Sequence, residues 1–288
     1  FVTALRSAGA EEATIARHLR HLKAAMRWAH LQELIVTLPK ITMPKRAKGA
    51  KVMRGRAVTT EEFERMLRVT PKIVENIAAE TWKFYLRGLW TSGLRLSESL
   101  TLRWDDTPGA IVVDMTRKRP MLRIPAEAEK GNQDRLLPIT PDFATLLESI
   151  SEGERRGPVF PLLDTDGTLL SANRTVVGKR LSAIGKAAGV VVDERIKSGK
   201  VVRKFASAHD LRRAFGFRWA MRVMPAVLKE LMRHEDIATT MKYYVGQNAD
   251  AMADAIWSAF GDTLGDTPRH ASSGDAKNTE KTSGDDRI

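Results

Sequence analysis

Residues 231–244 read LMRHEDIATTMKYY. An apolar helical stretch, Val227–Arg233, leads into His234, and Asp236 offers a side-chain oxygen to cap the next helix. Tyr243 falls nine residues after His234, with Tyr244 beside it. Both residue types are scarce. The chain has three tyrosines, the third being Tyr85, and of its six histidines only His209 and His234 lie within residues 58–265. Two further stretches gather matching chemistry. HDLRRAFG (209–216) sets His209 and Arg212 three apart at a helix start, so they share one face. TSGLRLSESLTLRW (91–104) stops a helix at Gly93 and opens another with Ser97 as cap. That leaves Arg95 in the turn, with Glu98 one helical turn away.

Around these stretches the pattern is mostly helical. Thr59 and Glu62 form a capping box that opens a helix to about Val69, and a second helix runs from about Val74 to Thr91. Three strand-like runs follow at Ala110–Met115, Met121–Pro125 and Arg135–Ile139. Helical periodicity then returns over 141–150, 171–187, 208–222, 225–233, 236–242 and 249–260. Near the start, Glu11–Leu34 carries Ile15, Leu19, Leu22, Met26 and Ala29 as an apolar stripe, with Arg17, Arg20, Lys23 and Arg27 off it. Such a helix suits a major groove, its cations resting on phosphates. Only one short segment precedes it, so this small domain is expected to lack its beginning. The fold class expected is mainly α (α+β). A partial α-helical domain spans 1–44, a basic linker 45–57, and a mixed α/β domain with a small antiparallel sheet 58–265. A disordered tail, poor in large apolar groups, covers 266–288.

Charge points to the partner. The 288 residues hold 47 Lys+Arg against 35 Asp+Glu, a net charge of +12. Residues 1–57 account for +9 of it, with 12 basic and 3 acidic side chains. Seven of those cations fall between Lys40 and Arg56 without one acid, among them Lys45, Arg46, Lys48, Lys51 and Arg54. The expected partner is anionic, with nucleic acid first. The absence of cysteine excludes disulfides, thiolate zinc sites and a cysteine nucleophile, and it fits a reducing cytoplasm. No apolar run reaches the ~18 residues of a membrane span. Phosphate-loop and dinucleotide fingerprints are missing, and a metalloprotease reading of His234-Glu235 would need histidine where Ala238 stands.

Taken together, the motifs resemble the tyrosine recombinases, or phage integrases. The resemblance rests on TSGLRLSESLTLRW, HDLRRAFG and LMRHEDIATTMKYY, with KGNQDRLLPI (130–139) similar to the family's hairpin lysine segment. These four motifs occur in the family's order across about 58–260. One departure is plain: Arg233 stands where the family usually has glycine before the histidine. Residues 1–44 resemble the later part of the family's core-binding domain.

The resemblance implies a chemistry. Arg95 and Arg212 would clamp the non-bridging oxygens of a DNA phosphodiester, with His234 donating a further hydrogen bond. Tyr243, favoured over Tyr244 by its spacing, would attack phosphorus, with His209 as base and Lys130 protonating the departing 5′ oxygen. Glu98 would hold His209 or the arginines in place. The 3′-phosphotyrosine keeps the bond energy for religation, so no ATP, metal or other cofactor is implied. The partner implied is double-stranded DNA at specific sites, bound by a homotetramer near the nucleoid. The 249–260 helix would dock on a neighbouring copy, packing on its own domain being the alternative. The same chemistry would serve a type IB topoisomerase, and the same fold a non-catalytic DNA-binding protein.

Overall fold

The computed structural model describes residues 1–44, 55–128, 134–197, 199–245 and 257. Expectations for Lys45, Arg46, Lys48, Lys51, Arg54 and Lys130 lie outside the described residues, as do the tail and the 249–260 segment apart from Trp257. The chain divides into two units, Phe1–Gly55 and Arg56–Ile288.

In the first unit, α1 (Val2–Ser7) precedes α2 (Glu12–Leu31). The apolar stripe of α2 faces inward, with Ile15 and Leu19 buried and Leu22, Met26 and Ala29 half-buried. Its cations Arg17, Arg20, Lys23 and Arg27 are exposed. The helix ends a turn earlier than its periodicity predicts, because Glu33 takes a left-handed φ of 57° and turns the chain.

The second unit is built on one long helix. Thr59 caps α3 (Thr60–Val69) through a reciprocal box, accepting from the Glu62 N–H at 3.3 Å while Glu62 accepts from the Thr59 N–H at 3.0 Å. Then α4 (Pro71–Ser92), interrupted at Glu75 (φ 62°), buries Trp82, Tyr85, Leu86 and Leu89 completely or nearly so. A short α5 (Leu96–Leu100) leads into a four-stranded sheet: β1 (Leu102–Arg103), β2 (Ile111–Asp114), β3 (Met121–Ile124) and β4 (Arg135–Pro138), adjacent in that order. Val113 pairs with Leu122 and Leu122 with Leu137 in the antiparallel part, whereas β1 runs parallel to β2. Ile111, Val113, Leu122, Ile124 and Leu137 turn into the core beside α4. The sheet thus contains the three strands read from the sequence plus β1, which is too short to show a pattern.

After the sheet, α6 (Pro141–Glu148) and α7 (Arg174–Ala187) pack on the α4 core through Phe143, Leu147, Val177, Leu181 and Ile184. A second, two-stranded antiparallel sheet of β5 (Val191–Lys197) and β6 (Lys200–Phe205) follows. Three helices complete the unit: α8 (Ala208–Ala220), α9 (Pro225–Met232) and α10 (Ile237–Val245). Two cores share α8. Leu211 and Ala214 join the α4 core, while Phe215 and Ala220 pack with Leu228, Leu231, Met232 and Tyr243 in a smaller cluster. The N-terminal half of α8 is therefore fixed in the larger core and its C-terminal half in the smaller one. No helix among the described residues is long and apolar enough to cross a membrane.

The buried Tyr85 hydroxyl meets Ser99 Oγ at 2.8 Å, tying α4 to α5. Tyr85→Phe is expected to lower the unfolding free energy by about 1 kcal/mol, measured by urea denaturation.

Candidate active site

Three helix ends build the site. α4 stops where Gly93 turns left-handed (φ 61°, ψ 18°), close against Phe215, whose ring would lie 2.3 Å from a Cβ there. Arg95 is extended and caps α5. Ser97, read from the sequence as that cap, is not; the Glu98 carboxylate, three residues on, reaches back to accept from the Arg95 N–H at 2.6 Å, as the acidic partner of a capping box does. Glu98 also accepts from Arg95 Nη1 at 2.6 Å, so one carboxylate fixes both the backbone and the guanidinium of Arg95.

At the second end, the Ser207 backbone N–H and hydroxyl both donate to the buried Asp210, at 3.1 and 2.7 Å, and set the first turn of α8. One turn apart on this helix, His209 and Arg212 line a cavity of about 450 Å³ together with Arg95, Arg174 and Ser182. His209 is exposed to solvent, yet desolvation by the surrounding protein, followed by the charge of Arg213, lowers its pKa. Arg212 is buried. Its Nη1 donates to Gly93 O and its Nη2 to Met232 O, the carbonyls that close α4 and α9. Burial first, then Arg233 and Arg95, push its guanidinium down to about 9, still protonated at neutral pH.

The third end is the turn between α9 and α10. Arg233 takes φ 48° and ψ 50°, the left-handed conformation that a glycine would adopt freely. Its carbonyl accepts from Arg95 Nη2 at 2.8 Å, and its buried guanidinium donates to Glu98 Oε2 at 2.7 Å. Burial of Glu98 works against its charge, but Arg233, Arg212 and Arg95 outweigh it and hold the carboxyl at about 2. Glu98 thus holds the arginines, the second of the two options read from the sequence.

Next in the chain, His234 Nδ1 is hydrogen-bonded to Thr240 Oγ1 at 2.9 Å. Burial, then Arg212, Arg95 and Arg233, push His234 down to about 4, so the ring is neutral at physiological pH. Asp236 accepts from the Ala238 N–H at 2.9 Å at the start of α10, as its sequence position predicts. The Tyr243 ring stacks on His234 with centroids 5.8 Å apart and meets Phe217 edge-on at 5.2 Å. Burial raises the Tyr243 pKa, while Arg212 and Arg213 oppose the rise. The two tyrosines differ. The Tyr244 hydroxyl donates to Val223 O at 2.6 Å, whereas that of Tyr243 makes no hydrogen bond among the described residues.

The structure therefore brings Arg95, Glu98, His209, Arg212, His234 and Tyr243 to one locality, with Lys130 outside the described residues. Sequence reasoning missed Arg174, Thr240 and the inward turn of Arg233. Arg174 carried one signal: it opens α7, where the helix dipole disfavours a cation. On α2, the exposed Arg17, Arg20, Lys23 and Arg27 form no ion pair among the described residues, and Arg17 and Arg20 line a shallow concavity with His21.

Comparison with known proteins bears on the family and the fold. The sequence profile of the phage integrase family matches residues 56–250. No curated protein matches the sequence. Among solved structures, the chain is similar to the Tn1549 transposon integrase in complex with a circular intermediate DNA, at 18% identity over 90% of this chain and 83% of that one, with a TM-score of 0.57. It is also similar to the XerH site-specific recombinase bound to a palindromic difH substrate (17% identity, 88% and 70% covered, TM-score 0.58). A lambda integrase dimer bound to a COC' core site gives 14% identity, 84% and 76% coverage and a TM-score of 0.54. At these identities the shared property is the fold.

Gly216 lies beneath the Tyr243 ring, where an added Cβ would come within 2.4 Å of Cε1. Gly216→Ala is expected to push Tyr243 off its stack, costing about 1–3 kcal/mol in urea unfolding. The displacement should appear in NMR as a changed ring shift at His234.

Proposed function

Because the chain belongs to the phage integrase family, we propose that it is a site-specific DNA recombinase, cutting and rejoining duplex DNA through a 3′-phosphotyrosine on Tyr243. One observation carries the reading: two arginines, two histidines and a tyrosine with an uncommitted hydroxyl converge from three helix ends. Nothing in folding alone requires so many cations around one cavity. An incoming phosphodiester gives them a purpose.

The residues divide the work by chemistry. A guanidinium has five N–H groups, and Arg95 and Arg212 each spend two on the fixed contacts described, leaving others for non-bridging phosphate oxygens. Their positions are set before the reaction, so little reorganisation is needed as charge builds on phosphorus. Neutral His234, with Nδ1 engaged by Thr240, keeps Nε2 for a third hydrogen bond to the phosphate. His209, neutral at physiological pH, accepts the Tyr243 proton. The phenolic oxygen bonds to phosphorus as the bond to the 5′ oxygen breaks, and Lys130 protonates the departing 5′ oxygen. Attack by a 5′ hydroxyl on the phosphotyrosine reverses these steps and reseals the strand.

The remaining assignments follow from charge and position. Residues 1–44 act as a core-binding domain, with Arg17, Arg20, Lys23 and Arg27 along DNA. The 45–57 linker, with Lys45, Arg46, Lys48, Lys51 and Arg54, follows the phosphates, and 58–265 forms the catalytic domain. Four protomers on two duplexes exchange strands in the cytoplasm. The 249–260 segment docks on a neighbour.

Incubation with nicked suicide DNA is expected to trap a covalent protein–DNA adduct. Tyr243→Phe should abolish it while DNA binding persists, and Tyr244→Phe should leave it. Absence of an adduct from the unaltered protein would defeat the enzymatic reading. Recombinant products from two cognate sites separate a recombinase from a topoisomerase, which would only relax DNA.

The pH profile tests the base. Acting as a base requires neutral His209, whose pKa lies below 6.5. Single-turnover cleavage should therefore persist to a lower pH than an ordinary imidazole would allow before it declines. A decline beginning above pH 7 would remove His209 from the role.

A further inference from the structure

Arg233 holds a left-handed turn although it carries a side chain, and three observations give its presence there a physical meaning. First, the left-handed backbone at Arg233 is retained although a side chain with a Cβ occupies it (φ 48°, ψ 50°). The turn still presents two successive carbonyls, Met232 O to Arg212 and Arg233 O to Arg95. Second, the side chain does not reach solvent or the cavity. It is 2% exposed, directed back at Glu98, and its Nη1 donates to Leu231 O at 3.1 Å. Third, Glu98 is the carboxylate that also binds Arg95, so Arg233 and Arg95 share one negative charge.

We infer that Arg233 is a positioning residue that neutralises Glu98, leaving Arg95 and Arg212 with their positive charge available to the scissile phosphate. Simple counting shows the effect. Arg95, Arg212 and Arg233 against Glu98 leave +2 in the cluster. Without Arg233 the balance is +1, and Glu98 pairs with Arg95 alone. A glycine here would suit the turn better, so the arginine is not explained by the backbone. The inference rests on the proposed phosphate-binding role of Arg95 and Arg212.

Charge and structure are separable by a double substitution. Arg233→Gly lowers the cluster to +1, and adding Glu98→Gln returns it to +2 with the turn still relaxed. Adduct formation on nicked suicide DNA is expected to slow by about 10–100-fold in Arg233→Gly. The rate should recover toward that of the unaltered chain in the Glu98→Gln, Arg233→Gly protein and be largely kept in Arg233→Lys. Because removing one partner of a buried ion pair is destabilising even where glycine suits the turn, rates are compared well below the thermal midpoint of each variant.

A second readout needs no catalysis. The His234 ring lies in the field of Arg95 at the α5 cap, His209 and Arg212 on α8 and Arg233 in its own turn, it stacks on Tyr243 of α10, and Glu98 is bound to Arg95 and Arg233. Its NMR titration should move upward in Arg233→Gly and back down in the double variant. A double variant no faster than Arg233→Gly, or a His234 titration unmoved by Arg233→Gly, overturns the assignment. If the unaltered protein forms no adduct but His234 responds as described, the recombinase reading fails and the charge assignment stands.

Discussion

A buried guanidinium must be held by something, and Arg212 is held by the carbonyl ends of two helices. α4 ends at Ser92 with Gly93 as cap, and α9 ends at Met232 with Arg233 as cap. The last carbonyls of any helix lack intrahelical partners and carry the negative end of its dipole. Here Gly93 O and Met232 O meet at Arg212, and Arg233 O meets Arg95. A cation that would be costly to bury thereby joins three segments distant in sequence. The left-handed residues Gly93 and Arg233 are what aim those carbonyls, so the two turns and the guanidinium depend on one another.

This dependence explains what was legible in the sequence. Local rules sufficed wherever structure is local: the Thr59–Glu62 box, the strands pairing Val113 with Leu122 and Leu122 with Leu137, and the Asp236 contact with Ala238. The candidate site residues that the fold brings together stood out because tyrosine and histidine are scarce and their spacing resembles a known family. The identity of the α5 cap was not. A hydroxyl at Ser97 is the usual choice, but Arg95 caps the helix with Glu98 as its box partner, and Glu98 must serve Arg233 at the same time. That requirement comes from a segment 135 residues away. Nor was the β5–β6 hairpin read, because β6 is largely exposed and lacks the alternation of a strand with one buried face. Its only local signal is the turn-prone Ser198-Gly199 between two valine-bearing runs.

Opposed shifts in acidity trace the same design. Burial lowers Arg212 and His234 and raises Tyr243, each toward its neutral form. Glu98 moves the other way, toward its charged form, because it stands among three cations. The outcome is a carboxylate kept anionic among cations, with His234 kept neutral and the Tyr243 phenol kept protonated beside it. Had Tyr243 been surrounded by carboxylates instead, its proton would be harder to remove; Arg212 and Arg213 pull in the useful direction.

The cluster is electrostatically unfinished in the free protein. Arg95, Arg212 and Arg233 repel one another, and a single carboxylate offsets only part of the charge. In water such repulsion is screened, but around a half-buried cavity it is not. The conformation therefore carries a cost that any well-placed anion reduces, and an anion bound only by the folded state stabilises that state. An anion entering the cavity meets cations already fixed, since helix carbonyls and Glu98 hold them there. The repulsion that raises the energy of the cluster is the same charge that favours a negative group between Arg95 and Arg212.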